Sequence, residues 1–452
     1  MKVQEKVVGF LPDETPKFLE LIVYAFQQII VMFPATVLVA ILTGFHVSTT
    51  IFASGLATLG FILVTKRKIP LYYGSSFSYI AAIASIMGAE AFADLSLNER
   101  ISTAQFGIVM SGFVSIIAGI IISKIGKKAL DKVLPATVTG GIAIVIGLSL
   151  AASAMTSAAA YPETAANPTL AGNMAWVIAL VTLFSTIIYS VYLKGKLSQL
   201  PILFGLLTGY IVAVIVGIVT GIDFVSFNTI APDKIFALPI FTLPKPSLAA
   251  IAAIMPIAIA TIPESTAHIY QLDIYVNNLA KKKGKPKYDI ENKLGLNLIG
   301  DGIGDIVSGF IGGPAGTNYG ENISAMAISK NFSVAVLIAA AVITMIISCF
   351  TPLINVVYSI PTAVIGGLSI YLFGVIAAQG ITIMMDKNVD MFSSKNLAVL
   401  AVILIIGLGG SFGFSNGMIP MFGIELPAIA TAAVSGIILN LLLSIGKNNE
   451  EA

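Results

Sequence analysis

Charge is what this chain has least of. Asp, Glu, Lys and Arg make up 11% of its 452 residues, against about 25% in a soluble protein. Cysteine is nearly absent too: Cys349 stands alone, which excludes an intramolecular disulfide and any multi-cysteine metal site. Histidine occurs only at His46 and His268, too few for a zinc centre in a chain without further thiolates. No HExxH run occurs, and neither a cysteine nor a second histidine lies near His268. Enzyme chemistry thus finds no nucleophile–base pair and no metal cluster, and neither a metal nor an organic cofactor is expected. The first seventeen residues hold Lys2, Glu5, Lys6, Asp13, Glu14 and Lys17 but no short apolar run or small-residue cleavage site. Residues 1–17 therefore read as a cytoplasmic tail rather than a signal peptide.

What is present is apolar. Hydrophobic residues make up 57% of the chain, and its mean hydropathy is +0.95. Its 41 glycines and 20 prolines suit membrane helices better than soluble ones. Windows of about 20 apolar residues predict an all-α polytopic membrane protein of about fourteen transmembrane spans. They lie near 18–43, 48–65, 70–90, 102–123, 133–155, 173–193, 200–220, 248–274, 293–311, 314–329, 332–354, 360–383, 396–413 and 425–445.

Basic residues crowd alternate gaps. Lys66, Arg67 and Lys68 follow the second span; Lys124, Lys127, Lys128 and Lys132 follow the fourth. Lys194 and Lys196 follow the sixth, and Lys281, Lys282, Lys283, Lys285 and Lys287 the eighth. Lys330, Lys387, Lys395 and Lys447 continue the pattern, while Glu90, Asp94 and Glu99 outweigh Arg100 after the third span. The gap after the seventh departs from it, with Lys234 and Lys245 balancing Asp223 and Asp233. The positive-inside rule places both termini in the cytoplasm, and the cell membrane as the location. The lysine run at 281–287 reads as a solvated loop rather than a lipid-recognition site.

The chain also repeats itself. Leu134-Pro135-Ala136-Thr137-Val138-Thr139-Gly140-Gly141-Ile142 is echoed by Ile360-Pro361-Thr362-Ala363-Val364-Ile365-Gly366-Gly367-Leu368, half the chain away. Seven spans per copy turn the second copy upside down, so the fold expected is two inverted 7-span repeats. Secondary transporters of that plan bind substrate at the midplane between the repeats. Matched interruptions support this. The third span opens Pro70-Leu71-Tyr72-Tyr73-Gly74-Ser75-Ser76-Phe77, and the tenth opens Gly313-Pro314-Ala315-Gly316-Thr317-Asn318-Tyr319-Gly320-Glu321-Asn322. Both are too polar and too rich in Gly and Pro to begin as helix. Non-helical backbone survives in a membrane only where protein or a wet cavity satisfies it, so short antiparallel strands are expected in spans 3 and 10, each leading into a half-helix. Their free N–H groups and positive N-termini would face ligand oxygens.

The eighth span carries the costliest residues. Glu264 and His268 sit in the run IAAIMPIAIATIPESTAHIYQLDI, where a charge costs at least about 2.5 kcal/mol. Their i, i+4 spacing puts both on one helical face, able to share a proton or a ligand.

These residues carry a resemblance. The chain resembles the nucleobase–ascorbate transporter family, and within it the bacterial uracil permeases, from Gln27 to the fourteenth span. The most specific matches are Gly74-Ser75-Ser76-Phe77, Glu264 with His268, and Asn318-Tyr319-Gly320-Glu321-Asn322 leading to Lys330. The resemblance implies a core domain at 18–128 and 247–356, a gate domain at 129–246 and 357–446, and a tail at 447–452. It implies that Glu264 and Glu321 accept hydrogen bonds from a base and that the N–H groups of Phe77 and Gly320 donate to its carbonyls. Tyr319 then lines the substrate site, Ser76, Asp301 and Asn322 support it, and His268 joins Glu264 in proton coupling. It further implies a homodimer in lipid through gate-domain spans, without a nucleic-acid partner. The family signature Gln/Glu-Asn-x-Gly-x-x-x-x-Thr appears with Ser324 for Gly and Ser329 for Thr. The family's Gln-His pair in the first span is Gln27-Gln28, and an aromatic often tyrosine is Phe373.

The chemistry suits uracil, whose two N–H donors match two carboxylates and whose two carbonyls match two backbone amides. Such a site rejects bases with another donor pattern. The function expected is proton symport of a nucleobase, uracil first, by alternating access of core against gate; the proton is the coupling ion. Carriage of xanthine or another purine stays open, and so does sodium coupling, which would use the same oxygens. An anion transporter of the same architecture is disfavoured, because two carboxylates repel an anion. Asp301 and Asp305, four apart in the ninth span, share a face and read first as ties for the broken tenth span, with ion coupling as the alternative. Asp273 reads as interfacial, His46 as an exposed loop residue, Trp176 as an interface anchor, and the paired glycines at 140–141 and 366–367 as helix-packing positions.

Overall fold

The computed structural model describes residues 9–89, 92–126, 132–226, 234–421 and 424–445. Lys2, Glu5, Lys6, Glu90, Lys127, Lys128, Asp233, Lys447, the 447–452 tail and the 128/129 domain boundary lie outside the described residues. The helices are α1 (Phe18–Thr43), α2 (Val47–Val64), α3 (Ile80–Met87), α4 (Leu97–Ile125), α5 (Ala136–Ser149), α6 (Ala151–Ala158), α7 (Pro168–Tyr192) and α8 (Pro201–Thr220). The second half adds α9 (Leu248–Ile254), α10 (Ile257–Lys282), α11 (Leu294–Ile311), α12 (Gly320–Ser329), α13 (Val334–Ile347), α14 (Thr351–Tyr358), α15 (Thr362–Asp386), α16 (Ser394–Leu404) and α17 (Ala428–Leu442). Ten helical stretches are long and apolar enough to cross a membrane, and three shorter apolar ones cover Phe77–Met87, Val334–Ile347 and Ala428–Leu442. The chain is a multi-pass membrane protein.

Strands form where the sequence breaks its helices. β1 (Tyr73–Ser75) pairs antiparallel with β2 (Gly316–Asn318), with Tyr73 opposite Asn318 and Ser75 opposite Gly316. Both are buried, so their backbone groups need partners. The Tyr319 N–H donates to the Tyr72 carbonyl at 3.0 Å and the Ser76 N–H to the Ala315 carbonyl at 3.0 Å. Ser54 and Thr58 of α2 donate to the Tyr73 carbonyl at 2.9 and 3.0 Å. A second hairpin, β3 (Met418–Met421) with β4 (Ile424–Pro427), lies outside the sequence expectations. It takes the opening residues 425–427 from the fourteenth span, whose helix starts at Ala428, because Pro427 denies helix backbone to the residue before it.

Two sets of helices pack through glycine. α4 lies along α11, where a Cβ on Gly112 would sit 2.5 Å from the Gly302 carbonyl oxygen and one on Gly119 would sit 2.5 Å from that of Gly295. α11 and α13 also pack on α2, and α13 on α1. The two copies of the repeat open α5 and α15 after the N-cap prolines Pro135 and Pro361. Those helices lie against each other, with Gly140 on the Gly380 carbonyl and Gly147 on that of Phe373, each Cβ position 2.5 Å away. α15 continues onto α7, and α16 onto α17 and α5. Small residues thus let backbones approach, as expected of helix pairs in lipid.

The segment 9–14 is strapped to the end of α12. Phe10 exchanges backbone hydrogen bonds with Lys330 and Phe332 at 2.8 Å each, Leu11 is fully buried, and Glu14 pairs with Lys283 at 2.5 Å.

Candidate functional site

Proline 263 lies inside α10, one residue before Glu264. It removes one backbone hydrogen bond and loosens the helix at the level of the carboxylate. Glu264 and His268 both face a cavity of about 310 Å³, reached also by Ser75–Ser78, Thr317–Glu321 and residues of α5 and α15. The i, i+4 expectation for this pair is met. The Ser78 hydroxyl donates to Glu264 Oε2 at 3.4 Å. His268 packs on Gly320, where a Cβ would lie 2.9 Å from its Nε2; its Nδ1 is buried without a partner among the described residues.

Phe77 and Gly320 occupy matching places. Each is the first residue of a helical turn directly after a strand and one linking residue, so its N–H has no intrahelical acceptor. Ser78 and Glu321 follow them. Glu264 and Glu321 both line the cavity, which gathers two carboxylates and two helix N-termini. No Lys or Arg occurs among its described lining residues, and no group of three or more His, Cys, Asp or Glu could hold a metal among the described residues.

The supporting residues fall into two networks behind the strands. Asp301 accepts from Ser265 at 2.6 Å, Asn318 at 2.8 Å and Asn297 at 3.3 Å. Asp305 accepts from the Gly316 N–H at 2.8 Å, from the Tyr73 hydroxyl, and from Ser111 at 3.5 Å. Both carboxylates are buried and tie α11 to the broken segments, which matches the structural reading of the pair. Asn322 donates to the Gln28 side chain at 2.9 Å and to its carbonyl at 3.0 Å, so Gln28 has a partner in the half-helix that bears Glu321. The Tyr319 hydroxyl reaches Thr36 at 2.9 Å and the Ser75 carbonyl at 3.1 Å, while its ring occupies the space a Cβ on Gly74 would need. Ser76 is buried and caps the turn, accepting from the Ser78 N–H at 3.2 Å.

Some placements differ from expectation. Asp273, in the second half of α10, is buried, and its carboxylate accepts the N–H groups of Ile290 and Glu291 at 3.0 and 3.2 Å. His46 precedes α2 and contacts Asn98 at 2.7 Å. Phe373 does not line the cavity; it packs edge-on against Phe77 with ring centroids 6.2 Å apart. Gln28, Thr36, Tyr73, Ser265 and Asn297 were missed as supports. A polar residue in or beside an apolar run was the available signal, but it does not name its partner.

Comparison with known proteins places the chain. A family model described as "Permease family", that of the xanthine and uracil permeases, matches residues 19–416. The chain belongs to this family, the nucleobase–ascorbate transporters. It is 34% identical to the uracil permease of Bacillus subtilis, over 99% of this chain and 98% of that protein. It is 36% identical to the uracil permease of Bacillus caldolyticus, over 95% and 94%. The fold also resembles the transmembrane domain of the cyanobacterial bicarbonate transporter BicA, with TM-score 0.58 and 16% identity over 95% of this chain and 99% of that one. Murine Slc26a9, an anion transporter solved in its inward-facing state, gives TM-score 0.66 and 12% identity over 96% and 69%. At such identities the likeness is one of fold. The relatives are permeases, and the chain is a transporter, not an enzyme.

Proposed function

We propose that this protein imports a nucleobase, uracil before others, by proton symport across the cell's inner membrane. The observation that carries the reading is one cavity faced by Glu264, Glu321 and the N-terminal amides at Phe77 and Gly320. Two acceptors and two donors are what the edge of uracil requires. The names of the relatives support the choice of base. Glu264 accepts from the ring and exchanges the coupling proton, with His268 beside it; Glu321 accepts the second N–H; Tyr319 shapes the wall. Asp301, Ser76 and Asn322 hold the strands and the half-helix in place.

The architecture we infer is fourteen crossings in two inverted sevens: ten long helices, three shorter apolar ones and the half-helix α12. Both termini are cytoplasmic. Spans 1–4 and 8–11 form a core and spans 5–7 and 12–14 a gate, and the two glycine-packed sets of helices support that division. Alternating access then moves one set against the other around the cavity, whose walls come from both. A homodimer forms through the gate helices, and a single mass equal to one chain in mild detergent, with transport intact, would count against it. An anion cargo is disfavoured despite the fold neighbours, because the described lining residues offer two carboxylates and no cationic side chain.

The test is uptake of labelled uracil into cells lacking their own carrier, with thymine, xanthine and sulfate as competitors and the proton and sodium gradients collapsed separately. Uptake blocked by proton uncoupling and by thymine but not by sulfate is expected. Uptake that follows the sodium gradient would replace the proton as coupling ion.

A further inference from the structure

The cavity is longer than its ligand. Along α10 its lining runs from Ala260 through Glu264 and His268 to Gln271, and along α15 from Leu372 through Ile376 and Gln379 to Ile383. Each stripe covers twelve residues, about 16 Å of helix rise from first to last, more than one six-membered ring occupies. Its two ends differ in chemistry. One holds the carboxylates of Glu264 and Glu321 and the two helix N-termini. At the other, the polar side chains are neutral: Thr139, Gln271, Ser324 and Gln379.

Those groups are not equally free. Thr139 donates back to the Ala136 carbonyl at 3.3 Å, as hydroxyls in helices commonly do. One amide N–H of Gln271 points at the Tyr275 hydroxyl at 3.3 Å, which leaves its carbonyl oxygen and second N–H available. Gln379 is exposed to the cavity, and no partner fixes its amide among the described residues. A primary amide sets one donor beside one acceptor, the pattern that an imide edge of a pyrimidine base presents in reverse. Gln271 sits two turns beyond Glu264 on the same helix, whereas Gln379 comes from the facing set of helices.

We propose that this end of the cavity is a second, exit subsite for the same planar donor–acceptor ring, held between the side-chain amides of Gln271 and Gln379. The proposal rests on the nucleobase reading above. Neutral hydrogen bonds are about half as strong as those to a carboxylate, so the ring is held more loosely here than at Glu264. It leaves the carboxylates without entering water directly. Since the amides belong to opposed helix sets, the subsite exists only while the cytoplasmic ends stand apart, and it favours release on that side.

Right-side-out and inside-out vesicles carrying the full-length protein separate the two faces. Labelled uracil exchange would be measured in each for the wild type, Gln379→Met and Gln271→Met; methionine keeps length and removes both amide groups. The half-saturating concentration at the cytoplasmic face is expected to rise about fivefold or more in either variant. That at the outer face is expected to stay within about twofold, which also shows that the variant is folded. Unchanged values at both faces, or equal shifts at both, would overturn the exit subsite while leaving the nucleobase reading intact. A wild type that exchanges no uracil from either side would remove the reading and the subsite together.

Discussion

The two broken segments share a backbone and differ in what they carry. Aligned through β1 and β2, Phe77 matches Gly320 and Ser78 matches Glu321. The second segment bears its own carboxylate at the start of a ten-residue helix. The first has none, and through Ser78 it touches the carboxylate of another element, Glu264 of α10. Their far ends differ as well. Arg100 donates to the Met87 carbonyl at 3.0 Å to close the first half-helix, whereas Lys330 at the end of the second is strapped by Phe10. A repeated backbone therefore supplies two sets of amides, and charge is added to each from a different source. Such a site is symmetric toward the carbonyls of a ligand and asymmetric toward its N–H groups.

The largest effect expected comes from the borrowed carboxylate. Glu264→Gln keeps the shape of the side chain, and the protein should fold, but an amide cannot exchange a proton. Accumulation of base against a gradient should vanish in an uptake assay. Concentrative uptake at the wild-type level would defeat the assignment of Glu264 to coupling and erase the distinction between the two segments.

Next is the group that ties both segments together. Asp305 accepts from Tyr73 of the first and from Gly316 of the second. Asp305→Ala leaves two buried donors unpartnered at about 1–3 kcal/mol each, so a loss of about 2–6 kcal/mol and a clearly lower melting temperature in detergent are expected. An unaltered melting temperature would mean that Asp305 is dispensable and that the bonds from α2 and Asp301 suffice to hold the strands.

Glu321→Gln tests the charge that the second segment carries itself. The variant keeps one acceptor but adds a donor and removes charge, so uracil binding should weaken by about 1.5–3 kcal/mol. A base presenting an acceptor there should lose less, and the competition order among uracil, thymine, 5-fluorouracil and xanthine should change. Equal loss for all four would mean that Glu321 shapes the half-helix rather than reading the ligand.

The contrast between the segments was legible in part. Gly and Pro clustered with polar residues in an apolar run announce a break, where a single one such as Pro263 does not, and both strands formed where those clusters stand. Glu264 and His268 announced themselves by the cost of charge in lipid. What the sequence could not supply was pairing. Gln28 meets Asn322 across 294 residues and Tyr73 meets Asp305 across 232, and hydropathy has no term for which polar residues will face each other. The hairpin at 418–427 was missed because its first strand lies in the gap between the thirteenth and fourteenth windows and its second at the edge of the fourteenth, and four residues are too few for alternation to declare a strand.

The smallest effect concerns the strap that closes the second half-helix. Burial acts to raise the Glu14 carboxyl, but the hydrogen bonds from Lys283 and from the Leu11 N–H, with the lysine charge, outweigh it and hold Glu14 below its ordinary value. A carboxylate depressed in the folded state lends its stability above the unfolded value, and that stability is lost as the pH falls through the folded value. The pair is partly solvent-exposed, with side chains 18% and 29% accessible, so it contributes about 0.2–1 kcal/mol. Hydrogen-exchange protection of the Phe10 and Phe332 amides, corrected for intrinsic rates, should therefore fall on acidification through the carboxylate range, by no more than about fivefold at the upper end of that energy. In Glu14→Gln the same amides should be less protected at neutral pH and show little further change. Protection that falls equally in both proteins would assign the pH dependence to another group and leave the strap held by Leu11 and its backbone bonds.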